Sequence, residues 1–361
     1  MKNKEKRLLL ISYFYPPLGG PGVQRPCKLV HYLRKKSWII DVISVKKIEF
    51  HSIDETLSAE CDENNLYKVK SFDPMRLLYL IKKYFGKNGK QRKSQIKSPQ
   101  KKLYFHTPER IKRIIRGLFP IDDKIGWLPF AYRAGTKLCN ENKYDAVMAT
   151  IGPYTSAVIA YKIAKRFHIP LVIDYRDLWT QHPYLTYISP FHKKYSEYWE
   201  KCILVKAKVI TTVSKSMVKS LCEKYGESLK DKLLVMYNAW DERDFKKVKV
   251  GKKIQKNNNK ISFTYIGGFY GEQTPKYFIQ AMEELQRQKR LPQQIEFIFV
   301  GNYFHEVIAI LQNNAVRDFI KIIPQLLHNK AIEYILSADA LLLFVSSIKG
   351  EGVITGKIFE Y

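Results

Sequence analysis

The sequence predicts an α/β protein with two doubly wound, parallel-sheet domains. Short apolar runs of strand length alternate with amphipathic helical patterns, as parallel sheets with crossover helices require. Two of these runs empty into glycine turns that open a helix. One polar, basic stretch interrupts the alternation and lets it restart. A chain of 361 residues is also the length of two domains at roughly 150 residues each.

The first unit opens at Leu8–Ser12, an apolar run read as a buried strand. Pro16, Pro17 and the glycines Gly19, Gly20 and Gly22 follow. Val23, Cys27, Val30 and Leu33 then recur at helical spacing. Strand, glycine turn and helix together aim backbone N–H groups at an anion. A tight connection with no ligand is the plain structural reading of the same pattern. Further strands are expected at Ile39–Val45, Leu66–Val69, Asp145–Thr150, Leu171–Tyr175, Val209–Val213 and Leu233–Tyr237. Tyr195, Tyr198, Trp199, Cys202 and Ile203 form a helical stripe between two of them. Residues 241–260, DERDFKKVKVGKKIQKNNNK, read as the linker between a first domain of residues 1–240 and a second of 261–361. In the second domain Ile261–Ile266 runs into Gly267 and Gly268 and a helix with Phe278, Ile279, Met282 and Leu285. Ile295–Val300, Phe319–Ile323 and Ala340–Val345 are its remaining strands. The chain stops at Tyr361, where a helix is opening after Lys357. That leads us to expect a truncated second domain with an exposed sheet edge.

Charge sets the partners. Sixty-two basic against 34 acidic residues give +28. From Arg76 to Arg116 there are 14 Lys and Arg and one acid, Glu109. Two basic amphipathic patterns bracket the tract's low-complexity middle, Lys87–Lys102, one with Leu77, Leu78, Leu80, Ile81 and Phe85, the other with Ile111, Ile114, Ile115, Leu118 and Phe119. Such charge attracts nucleic acid or an anionic membrane, and an apolar face with a Lys/Arg flank fits a membrane surface. Aromatics do not interleave with the basic tract as a single-strand platform requires, and no RNP-like or helix-turn-helix signature is present, so nucleic acid is not the expected partner. A lysine-rich solvated surface is the plain alternative. No run reaches the 18–20 uncharged apolar residues of a spanning helix. The N-terminal segment reads as the first strand of a cytoplasmic protein. The five cysteines are scattered and odd in number, which argues against a disulfide frame or zinc site.

The GGPG loop, VIDYRDLWT, ITTVSKSM, YNAWDERDF and GEGVITGKIFEY, in this order, resemble family-four glycosyltransferases of the GT-B fold. The resemblance is strongest to bacterial members that build cell-surface polysaccharides. It implies two Rossmann-like domains facing across a cleft, with Gly19–Gly22 opposite Gly267–Gly268. It implies transfer of a sugar, with retention, from a nucleotide-diphosphate sugar to a saccharide acceptor that is lipid-linked. That places the protein peripherally at the inner face of the plasma membrane, with no metal and no cofactor beyond the nucleotide-sugar co-substrate. By the same resemblance Glu360 accepts hydrogen bonds from the donor ribose, Lys357 meets the diphosphate, and Glu351 with the Gly352 backbone lies near the sugar. A carboxylate suits a vicinal diol because it offers two acceptor oxygens.

Eight residues separate Glu351 from Glu360 where the family usually has seven. Gln273 stands where the family carries an arginine, with Lys276 the nearest cation. In the first domain Asp174, Arg176 and Asp177 concentrate charge at the end of a buried strand. Asp177 is the candidate to orient or deprotonate the acceptor hydroxyl. Arg176 is either its catalytic neighbour or a structural partner of Asp174 or Asp177. Three other readings stay open: a non-catalytic basic protein that binds anions or nucleic acid, a GT-B sugar-nucleotide epimerase, and an inactive, truncated relative of the transferases.

Overall fold

The computed structural model describes residues 5–46, 53–58, 60–74, 117–119, 121–182, 185, 187–246, 248, 259–269, 273–345 and 355–361. The basic tract 76–116 and the candidates Glu351 and Gly352 lie outside these residues. The chain divides into two compact units, Met1–Tyr237 and Asn238–Tyr361.

The first unit holds seven parallel strands: β1 (Lys6–Ile11), β2 (Trp38–Val45), β3 (Asn65–Val69), β4 (Ala146–Thr150), β5 (Leu171–Tyr175), β6 (Val209–Thr212) and β7 (Leu233–Val235). Their order is β3-β2-β1-β4-β5-β6-β7. β1 pairs in parallel with both β2 and β4, Leu10 lying opposite Val42 on one side and Met148 on the other. Alternate residues of β1 enter two different cores. Leu9 and Ile11 join Ile43, Val147 and Ile173 on one face, while Leu8 and Leu10 join Ile40, Val42 and Met148 on the other. A strand buried on both faces reads as an unbroken apolar run, which is why these strands were visible in sequence. Chain order reverses at β1 and β4, so their carboxyl ends flank the topological switch point where ligands of open α/β sheets bind.

The second unit carries β8 (Ile261–Ile266), β9 (Ile295–Val300), β10 (Ile320–Ile323) and β11 (Ala340–Leu341), parallel throughout, in the order β10-β9-β8-β11. Its core is aromatic: Tyr265, Phe269, Phe297 and Phe299 are buried, and Phe278 and Phe344 pack on them. The last strand is shorter than the sequence suggests. Only Ala340 and Leu341 pair with β8, although Leu342 still donates to the Thr264 carbonyl at 2.8 Å.

One expectation is overturned. Cys27 and Cys61 form a disulfide, with Cα atoms 5.4 Å apart and a separation of 34 in sequence. Cys27 lies on helix Pro21–Arg34, and Cys61 on the crossover that leads to β3. The crossover folds back onto that helix, where Lys28 pairs with Glu60 at 2.6 Å. Counting and spacing cysteines cannot show a pairing made by a crossover. No described helix is long and apolar enough to cross a membrane.

Candidate functional site

At the carboxyl end of β1 the chain turns through Gly19 and Gly20 into helix Pro21–Arg34. Gly20 has φ +106°, a conformation that a side chain would strain. The helix has no side-chain cap; Pro21 at its first position carries no N–H, and Val23 N donates to the Gly20 carbonyl at 3.2 Å. Gly22 is fixed from β5: its carbonyl accepts from Arg176 Nη1 at 2.9 Å. The same guanidinium donates to the Ile151 carbonyl at 2.9 Å through Nε and to the Gly152 carbonyl at 3.0 Å through Nη2. Arg176 therefore ties the turn after β4 to the turn after β1. Burial lowers its proton affinity, against the charges of Asp174 and Asp177. A Cβ on Gly152 would lie 3.1 Å from Arg176 Nη2, and the residue sits at φ +96°, so this position needs glycine on two counts. Asp177 is exposed beside it, with Oδ2 4.0 Å from that Cβ position.

The hydrogen-bonded cation of Asp174 is Arg25, which the sequence did not single out. Arg25 Nε donates to Asp174 Oδ1 and Oδ2 at 3.1 and 3.0 Å, and Nη2 to Oδ1 at 2.8 Å. Thr150 and Thr211 donate their hydroxyls to the same carboxylate at 3.0 and 2.8 Å. Burial alone pushes the Asp174 carboxyl up. Arg25's hydrogen bonds and charge, Arg176's charge and the Thr211 hydroxyl together hold it below the usual aspartate value. Arg25 also donates to the carbonyls of Met236 and Tyr237, at 3.0 and 3.2 Å.

A second buried carboxylate, Glu200, holds the loop that follows Asp177. It accepts from the hydroxyls of Tyr175, Thr180 and Tyr225, the last at 2.6 Å. Trp179 of that loop stacks on Tyr154, with ring centroids 4.8 Å apart. Asp122 closes the start of helix Thr155–Phe167, accepting from Thr155 N and Oγ1 at 2.7 Å each and from Lys124 N at 2.8 Å.

Burial pushes the Asp122 carboxyl up to about 6, against those hydrogen bonds. Its folded form thus keeps a proton that the unfolded chain releases near pH 4. Stability from this group falls as pH rises from about 4 to about 6, by on the order of 1–3 kcal/mol. Carbon-detected NMR should give Asp122 a midpoint near 6. Urea titrations should show the falling slope in the parent but not in Asp122→Asn. A midpoint near 4 would remove the basis of this expectation.

In the second unit the carboxyl ends of β8, β9 and β10 gather the donor-side candidates. Gly267 follows β8 at φ +128°, and a Cβ there would lie 2.5 Å from Lys357 Cε and 2.8 Å from its Nζ. The missing side chain is the space that Lys357 fills. Lys357 Nζ donates to Tyr265 Oη at 3.0 Å and lies 4.6 Å from that ring's centroid. Tyr265 donates in turn to the Gly268 carbonyl at 2.8 Å. Burial lowers the Lys357 pKa, with Glu360 opposing. Glu360 Oε1 lies 3.4 Å from Nε2 of His328, which opens helix His328–Ser337 after β10. Tyr361 completes the turn, its hydroxyl accepting from Ile266 N at 3.1 Å.

Gly301 after β9 packs so closely on the Gly267 carbonyl that a Cβ would collide with it, and that Cβ would stand 3.0 Å from the Tyr303 hydroxyl. The Tyr303 hydroxyl is buried with no hydrogen-bond partner among the described residues. Lys276 is exposed at the first turn of helix Lys276–Arg287, its N–H bonded to Thr274 Oγ1 at 3.2 Å, and Gln273 precedes it, half-buried. Sequence reading missed His328, Tyr303 and Gly301. Of these only Gly301 left a local sign, a glycine directly after a strand.

Comparison with known proteins agrees with this architecture. Residues 92–243 match Glycosyltransferase Family 4. No curated protein matches the sequence. Among solved structures, the chain is similar to Alr3699/HepE of Anabaena in complex with UDP and glucose, at TM-score 0.51 and 11% identity. The match covers 93% of this chain and 73% of that one. It is equally similar to a putative UDP-N-acetylglucosamine 2-epimerase from Listeria monocytogenes, at TM-score 0.51 and 9% identity, over 94% of this chain and 74% of that one. The fold is α/β with two Rossmann-like parallel sheets, of the GT-B class.

Proposed function

We propose that the chain is a retaining glycosyltransferase that uses a nucleoside-diphosphate sugar. The observation that carries this is the set at the end of β8: Lys357 laid over Gly267, with Glu360 held beside His328. A leaving diphosphate develops negative charge, and a preorganised, half-buried cation at a strand end offsets it. Glu360 then takes the donor ribose, Gly267, Gly268, Gln273 and Lys276 line the donor, and Glu351 with Gly352 lies near its sugar. UDP is the first nucleotide to test, because the similar Anabaena protein was crystallised with UDP and glucose.

In the step itself the bond from the anomeric carbon to the diphosphate oxygen breaks. The acceptor oxygen bonds that carbon on the same face and gives up its proton. Asp177, exposed beside the Gly152 turn, orients the acceptor hydroxyl or takes that proton. Arg176 positions the turns around it, and Gly19, Gly20 and Gly22 form the acceptor-side loop. The acceptor is a saccharide, lipid-linked and presented at an anionic membrane on the cytoplasmic side, in cell-surface polysaccharide biosynthesis. No metal and no further cofactor are assigned.

Calorimetry with UDP and UDP-glucose should give saturable binding that Lys357→Met weakens at least about tenfold. The absence of binding to any nucleoside diphosphate would sink the reading. The epimerase reading is kept because an epimerase is equally similar in fold. Proton NMR of the protein with UDP-N-acetylglucosamine and no acceptor separates the two. A transferase leaves the sugar unchanged apart from slow hydrolysis, whereas an epimerase yields the C2 epimer.

A further inference from the structure

Helix Pro190–Lys206 has an outer face that the proposed chemistry does not use. Its inner face, Ser196, Glu200, Ile203 and Leu204, is buried. Phe191, Tyr195, Tyr198, Cys202 and Val205 recur at i, i+4, i+7, i+11 and i+14, which places them in one stripe along the opposite face. Phe191 is 67% exposed, Tyr198 62% and Val205 59%. A contiguous exposed apolar strip with a charged rim marks an interaction surface.

The rim is basic. Lys194 and Lys201 flank one side and Lys206 the other, all exposed. The helix's two carboxylates do not offset them, because both Glu197 and Glu200 are engaged by Lys224, at 3.1 and 3.9 Å. Beside the stripe a cavity of about 340 Å³ opens among three helices, with Lys162, Lys165 and Arg166 on its wall beside Tyr132, Tyr161 and Trp199. Lys162 Nζ lies 5.3 Å from the Trp199 ring centroid, and Arg166 Nη1 donates to Tyr132 Oη at 3.5 Å. At the helix start, His192 Nε2 lies 3.1 Å from the carbonyl of Leu118, itself 53% exposed, so the strip continues onto a second segment.

We infer that this face docks on an anionic lipid bilayer. The aromatic stripe enters the boundary between headgroups and acyl chains, and Lys162, Lys165 and Arg166 meet lipid phosphates. Tyrosine and tryptophan suit that boundary because one end is apolar and the other wet. A second copy of the chain is the poorer occupant, since each copy carries +28. The inference deepens the proposed function, to which it adds the surface that meets the membrane. Its test needs neither donor nor acceptor, so its failure is separable from failure of the transferase reading.

The full chain would be floated with phosphatidylcholine vesicles, with and without phosphatidylglycerol. Binding should require phosphatidylglycerol and weaken with salt. Phe191→Ser with Tyr198→Ser, and separately Lys162→Glu with Arg166→Glu, should each lower vesicle affinity at least about tenfold. All four side chains are at least partly exposed, so unchanged melting temperatures are expected. Lys289→Glu with Arg290→Glu, exposed cations of the second unit, should change little. Equal binding to neutral vesicles, or full binding by both folded variant pairs, would overturn the inference. So would a homodimer, seen by light scattering, that the stripe variant dissociates without loss of vesicle binding.

Discussion

Asp174→Asn should unfold the first unit at a markedly lower urea concentration, with a loss of about 3–5 kcal/mol, because it strands a cation that the fold has desolvated. Arg25 would keep its hydrogen bonds to the Met236 and Tyr237 carbonyls but lose its countercharge, and the Thr150 and Thr211 hydroxyls would compete for one remaining acceptor. Thr150→Val removes one neutral donor and should cost only about 1 kcal/mol. The pH dependence has a fixed sign. The Asp174 carboxyl is depressed in the folded protein, so its contribution is complete above the unfolded aspartate value of about 4 and is lost as pH falls through the lower folded value. Asp122 works the other way, losing stability as pH rises toward 6. The two single variants should therefore depart from the parent with opposite sign at neutral pH, Asp174→Asn falling below it and Asp122→Asn escaping the loss that the parent shows as pH rises toward 6. If Asp174→Asn melts with the parent at neutral pH, the Arg25 network carries no stability.

The other large effect concerns the donor. Glu360→Ala should weaken nucleoside-diphosphate binding by roughly 2–4 kcal/mol, about 30- to 1000-fold, because two ribose hydroxyls lose a charged acceptor. The loss should depend on the ribose. The parent should prefer UDP over its 2′,3′-dideoxy analogue, and Glu360→Ala should not. A parallel His328→Ala variant tests whether the 3.4 Å contact only orients Glu360. It should weaken UDP moderately and keep the ribose preference. Retention of that preference by Glu360→Ala would remove this carboxylate from the donor site.

Strand positions were legible because a parallel strand covered on both faces is apolar along its whole length. Leu171–Tyr175, Ile261–Ile266 and Ile295–Val300 have the ends expected from sequence. β11 is shorter than its apolar run: the ladder ends with the Leu342 hydrogen bond to Thr264, and Phe344 beyond it is apolar for the core's sake. Charge at a strand end drew attention to Asp174, Arg176 and Asp177, but not to how they divide the work. Arg176 spends its guanidinium on three carbonyls, and Asp174 is served by an arginine 149 residues earlier. Such a pairing exists only once the helix after β1 lies beside β5. Glu200 was hidden for the same reason. It sits on the buried face of helix Pro190–Lys206, and its three hydroxyl donors come from positions 20 to 25 residues away. His328 acquires meaning only from Glu360, 32 residues later.

The two glycines after β8 and β9 constrain how this sequence can change over time. A methyl group at Gly301 meets the Gly267 carbonyl, and one at Gly267 meets Lys357. The three positions form a chain of dependencies in which a change at either glycine is felt at the next member. A saturation library read out by folding should tolerate almost nothing at Gly301. At Gly267 an alanine displaces a flexible ammonium arm and not a backbone, and its remaining cost is the strain of φ +128°, about 1–3 kcal/mol, so destabilised but folded, donor-weak variants should survive there. Tolerance for folding would thus part from tolerance for binding at one residue, and loss of nucleotide affinity is the first route by which such a lineage would decay.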